Sequence, residues 1–383
     1  MAYVRPAGPC ANIHCFEMRA RDGLANTSRD AIVIDRRRPE DQAALDRMYS
    51  EIFGAEEARL NRERWQWQYQ ENPHCPEEGP EIWIAKEAGE VLGQYATMPV
   101  RLKVKEHVVR GSWGMDVMVR SSIQRKGIGS RLFLYWDQNV EASLGLGLSP
   151  ASHTLFQKLQ WEDVGPVPCY TRILDPAPLL ARRLGRLPAR LVSPIAKIFL
   201  GLAFPDRGSP QTDVEVRELK TPFGGDFDRL WEKAAPGFDL VAERTATYLE
   251  WKYHRVPHLT YDIFQALRGG EVAGFVVLRA AEPSGVRLGL LVDLFAHPED
   301  REVLDALIDR AVEWGGEKRV ARLQTFTLDQ RLAGRLRYKG FFEIASPMQF
   351  CLRIRDRYVD KSFFRNTSRW HVAFGDSDQD RRP

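Results

Sequence analysis

Landmarks of this 383-residue chain recur in one order at a near-constant spacing, and that repetition constrains the fold more than any local motif. Trp67 in RERWQWQYQENP is followed 184 residues later by Trp251 in YLEWKYHRVP, and Pro73 and Pro257 stand at the same separation. EIWIAKEAGEVLGQYATMPV is matched by YDIFQALRGGEVAGFVVLRA, and Asp116 by Asp293, 177 residues further on. The strand-then-helix opening AIVIDRRRPEDQAALDRMYSEIF is replayed by VEVRELKTPFGGDFDRLWEKA, and LFQKLQW by RLRYKGF. A chain of this length exceeds one ordinary core, so the repeat predicts two copies of one domain rather than a single enlarged one.

The richest part of the first copy is GSWGMDVMVRSSIQRKGIGSRLFL. Alternation puts Val117 and Val119 on one face of a strand and Asp116 and Met118 on the other. A polar turn then leads through Gln124, Arg125, Lys126, Gly127, Ile128 and Gly129 into an apolar helical segment. A helix that starts on such a turn offers unpaired backbone N–H groups and the positive end of its dipole to an anion. Gly127 and Gly129 carry no Cβ, so a diphosphate can approach the backbone closely, and Arg125 and Lys126 add positive charge. The string is neither GxxxxGK(S/T) nor GxGxxG, which leaves a nucleoside-triphosphate loop and a dinucleotide fold unsupported.

DVMV, four residues, QRKGIG and a following leucine closely resemble the acyl-CoA signature (R/Q)xxGx(G/A) of the GCN5-related N-acetyltransferases (GNAT). The resemblance implies an α/β architecture with mixed sheets, built as two tandem GNAT-like acyl-CoA acyltransferase folds covering most of residues 31–356. It implies that Gln124, Arg125, Lys126, Gly127, Ile128, Gly129 and Ser130 hold the phosphates of acetyl-CoA or another acyl-CoA. The strand Val117, Met118 and Val119 would then lie along the pantetheine, offering backbone groups. The division expected is a loose leader over residues 1–30, an acyl-CoA-binding unit over 31–174, a linker over 175–212, a degenerate unit over 213–356 and a tail over 357–383.

The copies differ where the chemistry is. After Asp293 the second has AHPEDREVLD in place of VRSSIQRKGIG, so the glycines are gone and Glu299, Asp300 and Glu302 stand where phosphates need donors. Carboxylates facing a diphosphate at short range repel it by several kcal/mol even when partly screened. The second unit is therefore expected to be structural or to wall the acceptor.

A net charge of +3 gives no reason to expect a nucleic-acid partner. The five cysteines, Cys10, Cys15, Cys75, Cys169 and Cys351, are scattered without CxxC pairs, and no histidine grouping suggests a metal; the economical setting is the reducing cytoplasm. No apolar run reaches the length of a secretory core or of a transmembrane span. In the linker, Arg182, Arg183, Arg186, Arg190, Lys197 and Arg207 against Asp175 and Asp206 give +4, and two amphipathic helices are expected. Their apolar face is expected to bridge both domains; the competing reading is peripheral contact of residues 179–204 with anionic lipid. In the tail, Phe363, Phe364, Trp370 and Phe374 should fold back on the body, with Asp376, Asp378 and Asp380 solvated.

Acyl transfer to an amine needs a proton acceptor, an oxyanion donor and, usefully, an acid for the thiolate. Asp116, just upstream of the loop, is the first candidate base. The family resemblance implies a tyrosine acid at the position of Phe156, which has no proton to give, so Tyr170 is taken as the substitute, with Ser149 and His153 as further candidates. Trp67, Tyr69 and Trp251 are candidates to line an acceptor cleft for a small-molecule or saccharide amine, though aromatics so spaced also suit a packed core. The leading expectation is thus an N-acetyltransferase. Its rivals are an acyl-CoA-binding module without turnover and an aminoacyl-tRNA-dependent transferase of the peptidoglycan-bridge type.

Overall fold

Strand alternation and two tight hairpin turns, at Ala88–Gly89 and Lys105–Glu106, explain the first layer. Ala88 and Gly89, with φ of 50° and 82°, form a tight hairpin turn whose twist suits the strands it joins. The computed structural model describes residues 32–124, 126–208, 212–355 and 360–381; the leader and Arg125 lie outside them. The first half runs β1 (Val33–Arg36), α1 (Gln42–Phe53), α2 (Ala55–Trp65), a π-helical turn (Gln66–Gln70), β2 (Ile82–Glu87), β3 (Glu90–Val104), β4 (His107–Val119), α3 (Ile128–Asn139), β5 (Ala142–Leu146), α4 (Pro150–Lys158), β6 (Glu162–Pro166) and β7 (Cys169–Ile173). A helical pair follows, α5 (Ala177–Leu184) and α6 (Arg186–Ala203).

The second half replays the order: β8 (Val214–Glu218), α7 (Gly225–Ala234), β9 (Leu240–Ala242), α8 (Ala246–Leu249), another π-helical turn (Glu250–His254), β10 (Asp262–Arg268), β11 (Glu271–Ala281), β12 (Leu288–Ala296), α9 (Arg301–Glu317), β13 (Arg322–Phe326), α10 (Gln330–Tyr338), β14 (Phe342–Ile344) and β15 (Gln349–Ile354). The tail adds α11 (Lys361–Arg365) and β16 (Trp370–His371).

The strands form two sheets, β1-β2-β3-β4-β5-β15-β6, to which β9 and β16 attach beside β3, and β14-β7-β13-β12-β11-β10-β8. The orders coincide once β7 and β15 are exchanged. The end of the unit expected over 31–174 splits between the sheets: β6 stays with the first sheet and β7 pairs with β13 and β14 of the second. In return β15 fills the first sheet between β5 and β6. The buried carboxylate of Asp137 on α3 fixes the incoming strand, accepting from Arg353 at 2.6 Å and Ser143 at 2.9 Å and pairing with Arg355 at 3.1 Å.

Alternation along the strands sorts side chains as the sequence predicts. Trp83, Ala85 and Val119 face α3 with Leu132, Phe133 and Trp136, while Ile82, Ile84 and Met118 face α1 with Leu45 and Met48. A third core joins the two halves and includes Val100, Leu144, Phe275 and Val292. At its centre Trp67 and Trp251 stack at 4.9 Å, and each indole N–H donates to the other's carbonyl at 2.8 Å. Residues 184 apart in sequence thus sit across a local two-fold relation. Phe363, Phe364, Trp370 and Phe374 are buried, as expected of a tail folded onto the body.

Two expectations fail here. Asp376 and Asp380 are buried rather than solvated, because Arg244 and Tyr261 take them as partners. The apolar face of α6 does not bridge the halves; it is exposed from Leu187 to Leu202.

Candidate functional site

Among the described residues β4 and β5 are hydrogen-bonded only at Gly111–Trp113, although β4 continues to Val119 and β5 to Leu146. The strands part beyond Trp113, so alternate backbone groups of residues 115–119 point away from β3 into a gap. A bulge sits at its start: Tyr95 faces Val117 and Thr97 faces Gly114, leaving Met115 and Asp116 together opposite Ala96. Bulges of this kind unpair a residue and re-aim its backbone.

The glycine turn follows the free end of β4. Gly127 takes φ +80° as the residue before α3, and no side chain caps that helix start. A Cβ at Gly127 would meet nothing within 4 Å, so the backbone conformation selects glycine, and the space above it is free. Ile128 and Gly129 are buried in the first turn, Ser130 is half-buried, and Lys126 is exposed beside them. Gln124 turns its amide back onto the Val119 carbonyl at 3.3 Å, so that carbonyl is already engaged by the protein.

The second half repeats the parting strands but closes the helix. β12 and β13 pair only at Leu288–Leu290, and a bulge follows where Val277 faces Asp293 and Leu278 faces Leu291. Here Asp300 caps α9, accepting from the Val303 N–H at 3.2 Å, and Arg268 pairs with both Asp300 and Glu302. The carboxylate does for its own helix what a bound phosphate would do. The tail also lies against β12 and β13: Phe374 stacks on Phe326 of β13 at 4.8 Å, and a Cβ on Gly375 would collide with Tyr253 Oη and with Val292 of β12.

Asp116 lies at the first bulge. Tyr69 donates its hydroxyl to Asp116 Oδ2 at 2.9 Å, and Arg381 stands 3.6 Å from Oδ1. The twin repeats the couple, with Tyr253 donating to Asp293 at 2.9 Å. Burial, and then the adjoining aspartate, push both tyrosine hydroxyls well above their usual range. The surroundings diverge. Asp116 keeps 29% of its side-chain exposure, whereas Asp293 keeps 2% and pairs with Arg244, which is 1% exposed and also bound to Asp376 at 2.7 Å. Burial works against the charge of Arg244, but the two carboxylates more than restore it.

A cavity of about 200 Å³ lies between α2, the two π-helical turns and the tail; Asp116 is not on its wall, but Arg381, which stands 3.6 Å from Asp116, is. Its wall includes Glu57, Arg64, Trp67, Lys252, Asp378 and Arg381. Of the three aromatic candidates, Trp67 reaches this wall; Trp251 is stacked behind it, and Tyr69 serves Asp116. The tail residues were not legible as site residues, since their charges look solvated in sequence. Gln379 also donates to the Leu146 carbonyl at 3.3 Å, at the free end of β5.

The acid candidates do not gather here. Tyr170 belongs to β7 in the second sheet, where its hydroxyl is held by Arg337 at 2.9 Å and Glu343 at 3.2 Å. Phe156 packs against Phe133 and Trp161 in an apolar cluster. Ser149 caps α4, and His153 pairs with Asp163 at 2.8 Å. His153, Asp163 and Cys351 bring their donor atoms within 4.8 Å of one another, a grouping made only by the exchanged β15. Burial pushes the Cys351 thiol up, which disfavours the thiolate a metal would need.

No protein-family model and no curated protein matches the sequence significantly. Solved structures do match in fold. A GCN5-related N-acetyltransferase from Anabaena variabilis is similar with a TM-score of 0.59 and 10% identity, over 85% of this chain and 73% of that one. A probable N-acyltransferase from Enterococcus faecalis gives 0.58 and 12%, over 84% and 72%. N-myristoyltransferase from Saccharomyces cerevisiae with bound myristoyl-CoA gives 0.51 and 12%, over 87% and 84%. Parting parallel strands, a bulge and a glycine-started helix, with a second copy behind them, thus give this chain the GCN5-related N-acetyltransferase fold in tandem.

Proposed function

We propose that this protein is an acyl-CoA-dependent N-acyltransferase whose first half binds the thioester and whose cavity walled by Trp67 and Arg381 admits an amine. The observation that carries the reading is the difference between two otherwise matching helix starts: α3 begins uncapped on Gly127, and α9 is sealed by Asp300. Uncapped amides of Ile128, Gly129 and Ser130, with Lys126 beside them, suit a diphosphate. The gap beyond Trp113 would take an extended pantetheine along Val117–Val119. The similarity in fold to a yeast enzyme holding myristoyl-CoA supports a thioester cofactor. Acetyl-CoA is the simplest donor, and a small-molecule or saccharide amine is the proposed acceptor.

In this reading the amine nitrogen attacks the thioester carbonyl at the bulge, a C–N bond forms and the C–S bond breaks. Backbone N–H groups freed by the bulge stabilise the oxyanion. Asp116 takes the amine proton directly or through water. Tyr69 and Arg381 already engage this carboxylate, and its share is taken as about tenfold rather than the ~10²–10⁴ of a dedicated general base. With Phe156 in an apolar cluster and Tyr170 in the other sheet, the thiolate leaves without a side-chain acid and is protonated by solvent.

Amine-dependent release of free thiol from acetyl-CoA and longer acyl-CoAs, across a panel of amines, tests the proposal. Release that needs an amine and is lost in Gly127→Glu is expected. Thioester binding without any amine-dependent release contradicts turnover and favours the second reading, a binding module, for which Phe156 at the acid position is the specific observation.

A further inference from the structure

The pair α5–α6 presents an apolar face that none of the described residues covers. Leu187, Leu191, Ile195, Ile198, Phe199 and Leu202 are each between 65 and 78% exposed. Their spacing of three and four residues places them in one stripe along α6. A surface of this kind is not the ordinary scatter of exposed leucines; a contiguous patch marks a docking site. The pair is also firmly held. Leu179 packs on Val286, Leu288 and Ala321, Ala189 is buried, Phe204 stacks on Phe342 at 4.3 Å, and Asp206 pairs with Arg172 at 2.9 Å. The stripe therefore faces outward on a fixed platform.

Charge identifies the occupant. From Pro176 to Pro205 the chain has five Arg and Lys residues, Arg182, Arg183, Arg186, Arg190 and Lys197, and no Asp or Glu. Arg190 and Lys197, seven residues apart, stand one above the other along one border of the stripe. A second copy of this chain meeting the same surface would find no carboxylate there to match these cations, and like charges would oppose the contact. An anionic bilayer matches both features, with acyl chains for the stripe and headgroups for its border. Among the described residues no helix is long and apolar enough to cross a membrane, so α6 can only lie in the interface. Its 18 residues span about 27 Å, enough to hold the body in one orientation.

We propose that α6 docks the protein flat on the surface of an anionic lipid membrane, whatever reaction the first half performs. The test is sedimentation of the full chain with vesicles of phosphatidylcholine alone or with about a third phosphatidylglycerol, a content that gives a strongly negative surface potential. Wild type should partition at least tenfold more onto the anionic vesicles, and raised salt should weaken it. Leu191→Asp with Ile198→Asp should abolish partitioning; Arg190→Glu with Lys197→Glu should remove the anionic preference. Both pairs lie on the surface, and unchanged circular dichroism and melting confirm that they fold. Absence of wild-type partitioning, equal partitioning onto both vesicles, or a dimer in ultracentrifugation that Leu191→Asp with Ile198→Asp dissolves would overturn the proposal.

Discussion

The two halves use one bulge, one tyrosine–aspartate couple and one pair of parting strands, and they end with opposite electrostatics. In the first half Asp116 keeps part of its exposure and the next helix starts without a side-chain cap; in the second Asp293 is sealed against Arg244 and the next helix carries its own carboxylate. The shared parts are those the fold requires, and the unshared parts are those a ligand requires. The couple Tyr253–Asp293 in the sealed half shows that this hydrogen bond can serve structure alone, which is why Asp116 is assigned a modest catalytic share.

Substitutions at matched positions sharpen the contrast. The largest effect is expected at the sealed site. Asp293→Ala leaves the buried Arg244 with Asp376 alone and should cost about 3–5 kcal/mol in denaturant unfolding, whereas Asp116→Ala, which strands the buried Tyr69 hydroxyl but no buried cation, should cost about 1–2 kcal/mol. Equal costs would mean that the two sites are not electrostatically distinct. Next come the stacked indoles: Trp67→Ala and Trp251→Ala should each cost about 3–5 kcal/mol, and the double mutant less than their sum, because one contact is lost twice. Strict additivity would break the two-fold relation. A smaller effect, about 1 kcal/mol, is expected for Asp300→Ala, which uncaps α9. It should leave acyl-CoA affinity unchanged, since the proposed thioester site lies in the first half.

Much of this contrast was legible in the sequence. The repeat at Trp67 and Trp251, the alternation of Val117 and Val119 against Asp116 and Met118, the glycine turn and the acidic replacement at 299–302 are local patterns, and local patterns survive folding. The exchange of β7 and β15 was not legible, because strands of like length and polarity specify a face and not the sheet they join. The acidic tail was misread for a related reason. Asp376 and Asp380 look solvated until Arg244 and Tyr261, more than a hundred residues away in sequence, are brought to them. Tyr170 lies close to α4 in sequence, and the same exchange carries it into the second sheet. The amphipathicity of α6 was plain, but a pattern names an apolar face without saying what covers it.

The central claim is that one chain holds one acyl-CoA, in the first half. Isothermal titration of the full chain with acetyl-CoA measures this directly. A single site per chain is expected, weakened about 100-fold or more by Gly127→Glu, where a carboxylate is set against the diphosphate at an effective dielectric near 20. Gly127→Asn, which keeps the left-handed backbone without the charge, should lose far less. Two equivalent sites, or an affinity indifferent to Gly127→Glu and sensitive to Asp300→Ala, would contradict the account.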